Sequence, residues 1–216
     1  KSLELKKSSV LNQDLENILQ NIITNLDKEK GGYKGAPKFP IFNIYDTLLY
    51  FFTKTKKLEY LRPVELILKQ LCSQGIYDQV EGGLSRYTVD ENWLIPHFEK
   101  MLYDNSQFIL LASKFLGINK NTYFEKKIIQ TIEFMNKSFL NSKYNLLGSA
   151  YDADSDGKEG KYYVFDYNEL KEIKDIEKYF DIKPEGNWEN KIILREIKAP
   201  PETIVIKLKD LRKKKN

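Results

Sequence analysis

An all-α fold assembled from αα-hairpins is what this sequence predicts, and three observations carry the prediction. Apolar residues recur every three or four positions in five separate segments. Glycine-bearing polar stretches divide those segments, and pieces with strand character are short and confined to the intervening loops.

The first segment runs from Val10 to Leu26, with Leu11, Leu15, Ile18, Leu19 and Ile22 on one stripe, and Gly31-Gly32 stops it. Ile41 to Phe52 is apolar on nearly every side and reads as a helix packed on several faces. Leu58 to Cys72 follows as a third helix, with Pro63 expected in its first turn, where a missing N–H costs nothing. Residues 76–95 read as a loop with a small β-hairpin. Pro96 is expected to restart the helix, striped by Phe98, Met101, Leu102, Phe108, Ala112 and Phe115 and closed by Gly117. Thr122 with Glu125 has the capping-box spacing for a fifth helix. Asn145 to Tyr151 is expected to pair with Lys161 to Phe165, and Asp166 with Glu169 marks a short sixth helix.

The 216 residues suffice for one domain or two small ones, burying about 70% of the extended surface. A hydrophobic content of 41% against 31% charged residues describes a globular chain and excludes a disordered one. No run approaches the ~20 apolar residues of a membrane helix, and Lys1 to Val10 has no signal-peptide core. The single Cys72 rules out an internal disulfide or a CxxC site; it reads as a small buried residue in a cytoplasmic protein. The net charge of +4 lies largely in Lys207 to Lys215, read as a solvated helix end without the aromatic residues that nucleic-acid stacking needs. No membrane or nucleic-acid partner is expected. The chain opens on Lys1, not Met, as a trimmed or partial product would.

Gly32 and Gly83 stand at corresponding places in two loops, each followed by an aromatic or aliphatic residue and a basic one. Stacked αα-hairpins with their loops on one rim make a solenoid or toroid and gather polar loops around one opening. The stretch Gly75 to Asp104 is the richest of these loops in functional side chains.

Three motifs give this layout a family. GGYKGAPKFP (Gly31 to Pro40), GIYDQVEGGLSRYTVDENWLIPHFEKMLYDN (Gly75 to Asn105) and SAYDADSDGKEGKYYVFD (Ser149 to Asp166) resemble, in order, the spermatogenesis-associated protein 20 family, thioredoxin-domain-containing proteins of the YyaL type. GNWENKIIL (Gly186 to Leu194) is a shorter fourth match. The resemblance implies a thioredoxin-like domain, missing here, ahead of an (α/α)6 toroid akin to N-acylglucosamine 2-epimerases and six-hairpin glycosidases. On that plan residues 1–194 are the first part of the toroid. Residues 195–216 are then a basic segment leading toward a second half. Ser85 stands where family members usually carry a His.

The catalytic candidates are His97, Asp104, Glu81, Asp90 and Glu99. His97 is the one histidine, which excludes a two-histidine mechanism within this chain. A helix starting at Pro96 would place His97 and Glu99 in its first turn, with the imidazole able to accept a proton and Asp104 two turns on. Paired carboxylates across an opening are what glycoside hydrolysis uses. Tyr77, Tyr87, Trp93 and Tyr103 are candidate stacking platforms, and Arg86, Asp78, Asp152 and Asp154 candidate polar contacts. Each aromatic has packing as its plainer alternative. The run Asp152 to Gly157 opens like a calcium loop but carries Tyr163 where a bidentate Glu is needed, so it reads as an acidic turn; no metal and no cofactor is expected. Two functions follow: a carbohydrate-active isomerase or hydrolase with a sugar-like ligand, or a binding module partnering a thioredoxin-like redox domain.

Overall fold

The computed structural model describes residues 12–215; Val10 and Leu11 of the first expected helix lie outside them. Helix α1 spans Asn12–Asn25, α2 Phe42–Thr55, α3 Leu58–Ser73, α4 Leu102–Leu116, α5 Thr122–Ser138, α6 Tyr167–Leu170 and α7 Glu202–Lys213. Helices α2 and α3 pack as one hairpin, α4 and α5 as a second, and α2 against α4 joins them. Between the helices lie two-residue strands: β1 Tyr87–Thr88, β2 Pro96–His97, β3 Lys100–Met101, β4 Leu140–Asn141, β5 Leu146–Leu147, β6 Ala150–Tyr151, β7 Asp154–Ser155 and β8 Lys158–Glu159. They pair antiparallel as β1 with β2, β3 with β6, β4 with β5 and β7 with β8.

The main core lies between the hairpins, where Leu48, Val64, Leu68, Leu71, Phe108, Leu111 and Phe115 are buried together. Cys72 is fully buried there, and burial pushes its thiol up to about 12. Helix α2 meets the expectation of burial on several faces only in part. Phe42, Tyr45, Leu48 and Leu49 form one buried stripe, Ile44, Phe51 and Phe52 pack half-buried against the same core, and Tyr50 is exposed. Pro63 also falls deeper than expected, six residues into α3, so the Glu59 carbonyl loses its helical N–H on an exposed side of the helix. A second core joins Val80 to Phe165, Leu170, Ile176, Phe180, Ile192, Ile204 and Leu208, which fastens α7 beneath the loop after α3.

Three local expectations are corrected. Pro96 does not open a helix: residues 96–101 run extended, and α4 begins at Leu102. The cap of α5 is Asn121, whose side-chain oxygen accepts the Tyr123 and Phe124 N–H groups at 3.0 and 3.3 Å, in place of Thr122. The stretch 145–151 pairs with β4 and β3 and not with 161–165, where Phe165 instead bridges to Ile192. The expected Asp166 cap is present, with Glu169 reaching back to the Asp166 N–H at 3.0 Å.

The two repeated glycines have a common cause. Gly32 (φ +72°) and Gly83 (φ +84°) both sit in the left-handed region, and a Cβ would fall 2.6 Å from the Trp93 ring and 2.4 Å from the Phe134 ring. Each loop presses its backbone flat onto an aromatic side chain.

Candidate functional site

Residues 96–101 decide where the candidate side chains go. Along this extended stretch Pro96, Phe98 and Lys100 are buried while His97, Glu99 and Met101 are half-buried, the two-residue alternation of a strand. His97 and Glu99 therefore share one face and Lys100 takes the other. The candidates divide between two places.

On the first face, His97 Nδ1 lies 2.8 Å from Glu159 Oε1 and His97 Nε2 lies 4.0 Å from Glu99 Oε2. Tyr87 stacks on the imidazole with ring centroids 5.2 Å apart, as the register of β1 against β2 requires, and Phe39 stacks on the far side of Tyr87 at 4.7 Å. Arg86 Nη1 donates to Glu99 Oε2 at 3.2 Å. Asp104, in the first turn of α4, adjoins Arg86 and Glu99 electrostatically. Only 6% of Asp104 is exposed, and its Oδ2 has no hydrogen-bond partner among the described residues. Burial pushes this carboxyl up to about 7 against the opposing pull of Arg86. Tyr103 interacts with both Arg86 and Asp104 and is exposed.

On the second face lies a cleft of about 500 Å³ lined by Asp78, Glu81, Lys100, Tyr151, Asp152, Asp154, Tyr162 and Tyr163. Its floor is ionic. Lys100 Nζ donates to Asp78 Oδ2 at 3.2 Å and to the Gly82 carbonyl at 2.8 Å, and Arg212 Nη1 donates to both Asp78 oxygens at 2.7 and 2.8 Å. Burial alone would raise the Asp78 carboxyl, but Arg212 and Lys100 outweigh it and hold the group far below the usual carboxylate range. Glu81 is bonded to Lys137 and Tyr162.

Three candidates serve structure. Asp90 accepts backbone N–H groups of Asn92 (2.6 Å), Leu94 (3.1 Å) and Ile95 (2.5 Å), so its carboxylate shapes the turn before β2. Trp93 is fully buried with its Nε1 donating to the Lys30 carbonyl at 2.8 Å, which corrects its reading as a platform. Tyr77 is buried too, its hydroxyl 2.9 Å from the Lys127 carbonyl and 3.0 Å from the Thr131 hydroxyl. The placement of His97 and Glu99 in a helical first turn is corrected by the strand, and the dipole has no bearing on them. The acidic turn is a tight hairpin of β7 and β8, and its second strand delivers Glu159 to His97.

Sequence reasoning overlooked Glu159 and Arg212. Glu159 follows the acidic turn with no local pattern that marks it as a partner of His97. Arg212 was hidden in a basic run, although Ile204, Leu208 and Arg212 fall at four-residue spacing, the mark of one buried helical stripe.

No family model matches the chain. Human spermatogenesis-associated protein 20 is 31% identical over 164 residues, covering 71% of this chain and 21% of that protein. The mouse protein of that name is 30% identical over the same length, with the same coverage of this chain and of its own. An uncharacterised Caenorhabditis elegans protein is 28% identical over 214 residues, covering 83% of this chain and 29% of its own. The chain thus spans about a fifth to three tenths of the length of these relatives. Among solved structures, the cellobiose 2-epimerases of Bacillus thermoamylovorans and Spirochaeta thermophila both superpose with a TM-score of 0.54 at 17% and 14% identity. The matches cover 66% and 68% of this chain and 42% of each of theirs. At such identities the likeness concerns the fold alone, which is a partial α/α toroid of αα-hairpins with short β-hairpins in its loops. With that fold, the three motifs in register and these relatives, the chain belongs to the spermatogenesis-associated protein 20 family, matching about a fifth of the length of the members so named.

Proposed function

We propose that the intact protein is a carbohydrate-active enzyme of the α/α-toroid type, an isomerase or hydrolase, with its acid and base groups on the face that carries His97 and Asp104. The observation that supports this most is the setting of His97. One ring nitrogen is anchored by Glu159 at 2.8 Å, which orients the imidazole, and about a third of the side chain stays open to solvent. Asp104 supplies a second group, with a carboxyl near 7 that can hold or release a proton at neutral pH. Two titratable groups in different surroundings on one face are the arrangement that proton abstraction and return need. The toroid fold shared with cellobiose 2-epimerases favours carbohydrate as the substrate class, by analogy of fold. A reaction that uses two histidines would draw the second from elsewhere in the protein, since His97 is the one histidine here.

The test is incubation of the protein with a panel of aldoses, ketoses and short oligosaccharides in D2O, followed by proton NMR. Deuterium entering a carbon next to the carbonyl, or release of a free reducing end, is the expected result, abolished in His97→Ala. A panel with neither signal overturns the enzyme reading. Sugar binding without turnover would favour the second reading, a binding module alongside a thioredoxin-like redox domain.

A further inference from the structure

The proposed acid–base face contains two buried polar atoms that the protein itself leaves unused, and they limit what can bind there. Asp104 is more than nine-tenths buried and its Oδ2 accepts no hydrogen bond; the Nε of Arg86 is buried and donates none, among the described residues. The two side chains interact electrostatically, and the exposed Tyr103 sets its hydroxyl beside both without bonding to either of these two atoms. Buried polar atoms are nearly always satisfied, and an unsatisfied one in a native fold asks for an explanation. A carboxylate oxygen needs a donor and a guanidinium N–H needs an acceptor. A hydroxyl meets both demands at once. An ammonium only donates, and a phosphate or carboxylate at neutral pH only accepts.

The charges nearby select in the same direction. The Nη1 of Arg86 is already committed to Glu99 at 3.2 Å, and Glu159 stands against His97 at 2.8 Å. An anionic ligand would meet Glu99, Glu159 and Asp104 with one partly neutralised arginine to receive it.

We propose that Asp104 Oδ2 and Arg86 Nε form a hydroxyl subsite that selects neutral polyhydroxylated ligands, and rejects sugar acids and sugar phosphates. The inference rests on the acid–base reading of this face but does not need turnover.

The experiment measures binding of glucose, glucuronate and glucose 6-phosphate to the full chain by calorimetry or saturation-transfer NMR, with circular dichroism as the check on folding. The neutral sugar is expected to bind at least tenfold more tightly than either anion, and Asp104→Asn to weaken it about tenfold. Lys137→Ala, on the opposite face, leaves the affinity unchanged and guards against a general effect of charge. The affinity for glucose rises from pH 6 to pH 8 as Asp104 ionises beside Arg86, Glu99 and Tyr103, and this slope is lost in Asp104→Asn. Equal or tighter binding of an anion, unchanged affinity in Asp104→Asn, or no binding of glucose each overturns the subsite. Selective glucose binding with no deuterium exchange or cleavage would sustain the subsite and sink the enzyme reading; turnover without that selectivity does the reverse.

Discussion

Asp78 and Arg212 lie 134 positions apart in the chain, and one guanidinium nitrogen of Arg212 contacts both Asp78 oxygens at 2.7 and 2.8 Å with only 3% of either side chain exposed. Asp78 belongs to the loop after α3 and Arg212 to the last turn of α7, so this contact fastens the end of the described chain to the centre of the fold. Lys100 completes the cluster from the strand that carries His97 on its other face.

Removing one partner of a buried ion pair leaves the other charge uncompensated and costs about 3 to 5 kcal/mol. Arg212→Met keeps most of the volume and removes the charge. It is expected to lower the melting temperature by about 6 to 12 °C, measured by thermal circular dichroism. A shift under ~2 °C would mean that Lys100 alone satisfies Asp78.

The same cluster fixes a response to acid. The folded-state value of Asp78 is depressed, so its stabilising contribution is complete above the unfolded value of about 3.9 and is lost as pH falls toward the folded value. Denaturant unfolding between pH 5 and pH 2 should show a loss of stability that Asp78→Asn, already weakened, does not share.

The helical hairpins were legible in the sequence because their apolar stripes are regular. The strand at residues 96–101 was not. Its buried positions are Pro96, Phe98 and Lys100, and the lysine, satisfied by Asp78 and the Gly82 carbonyl and lying 4.2 Å from the Phe134 ring centroid, masks the alternation. Misreading that strand as a helix put His97 and Asp104 on one helical face for the wrong reason. They come near the same surface because the extended stretch 96–101 carries His97 and Glu99 outward on one face and Arg86 links Glu99 to the start of α4. Glu159 was beyond reach of local reasoning, since nothing near it in sequence says which residue 62 positions away it meets. The cleft candidates Asp78, Glu81, Asp152 and Asp154 do converge, although Asp78 is locked by cations.

Gly75 permits a close approach that no other residue allows. A Cβ there would sit 2.0 Å from the Leu94 carbonyl oxygen and 2.7 Å from Ile193. Gly75→Ala must push the loop after α3 away from the segment leading into β2, breaking the Ile76 N–H to Trp93 carbonyl bond of 3.0 Å. A loss of about 3 kcal/mol or more in urea unfolding is expected, comparable to the larger effects of single substitutions. A near-neutral result would show that the two segments can separate freely.

Asp104 offers the clearest test that the candidate face is maintained at a cost to stability. Its carboxyl is raised to about 7 in the folded chain from an unfolded value near 3.8, so between those values the folded state holds more protons than the unfolded one. Stability therefore falls as pH rises from 4 to 7 and is then level, the reverse of the Asp78 behaviour. Asn at this position cannot ionise. Asp104→Asn should match the wild type near pH 4 and exceed it at pH 8 by at least about 1 kcal/mol. Equilibrium unfolding in urea at the two pH values measures it. Improved stability together with weakened glucose binding is the pattern of a group kept for function against the interest of the fold. A destabilising effect at pH 8 would instead make the Asp104 carboxylate a structural anchor of α4.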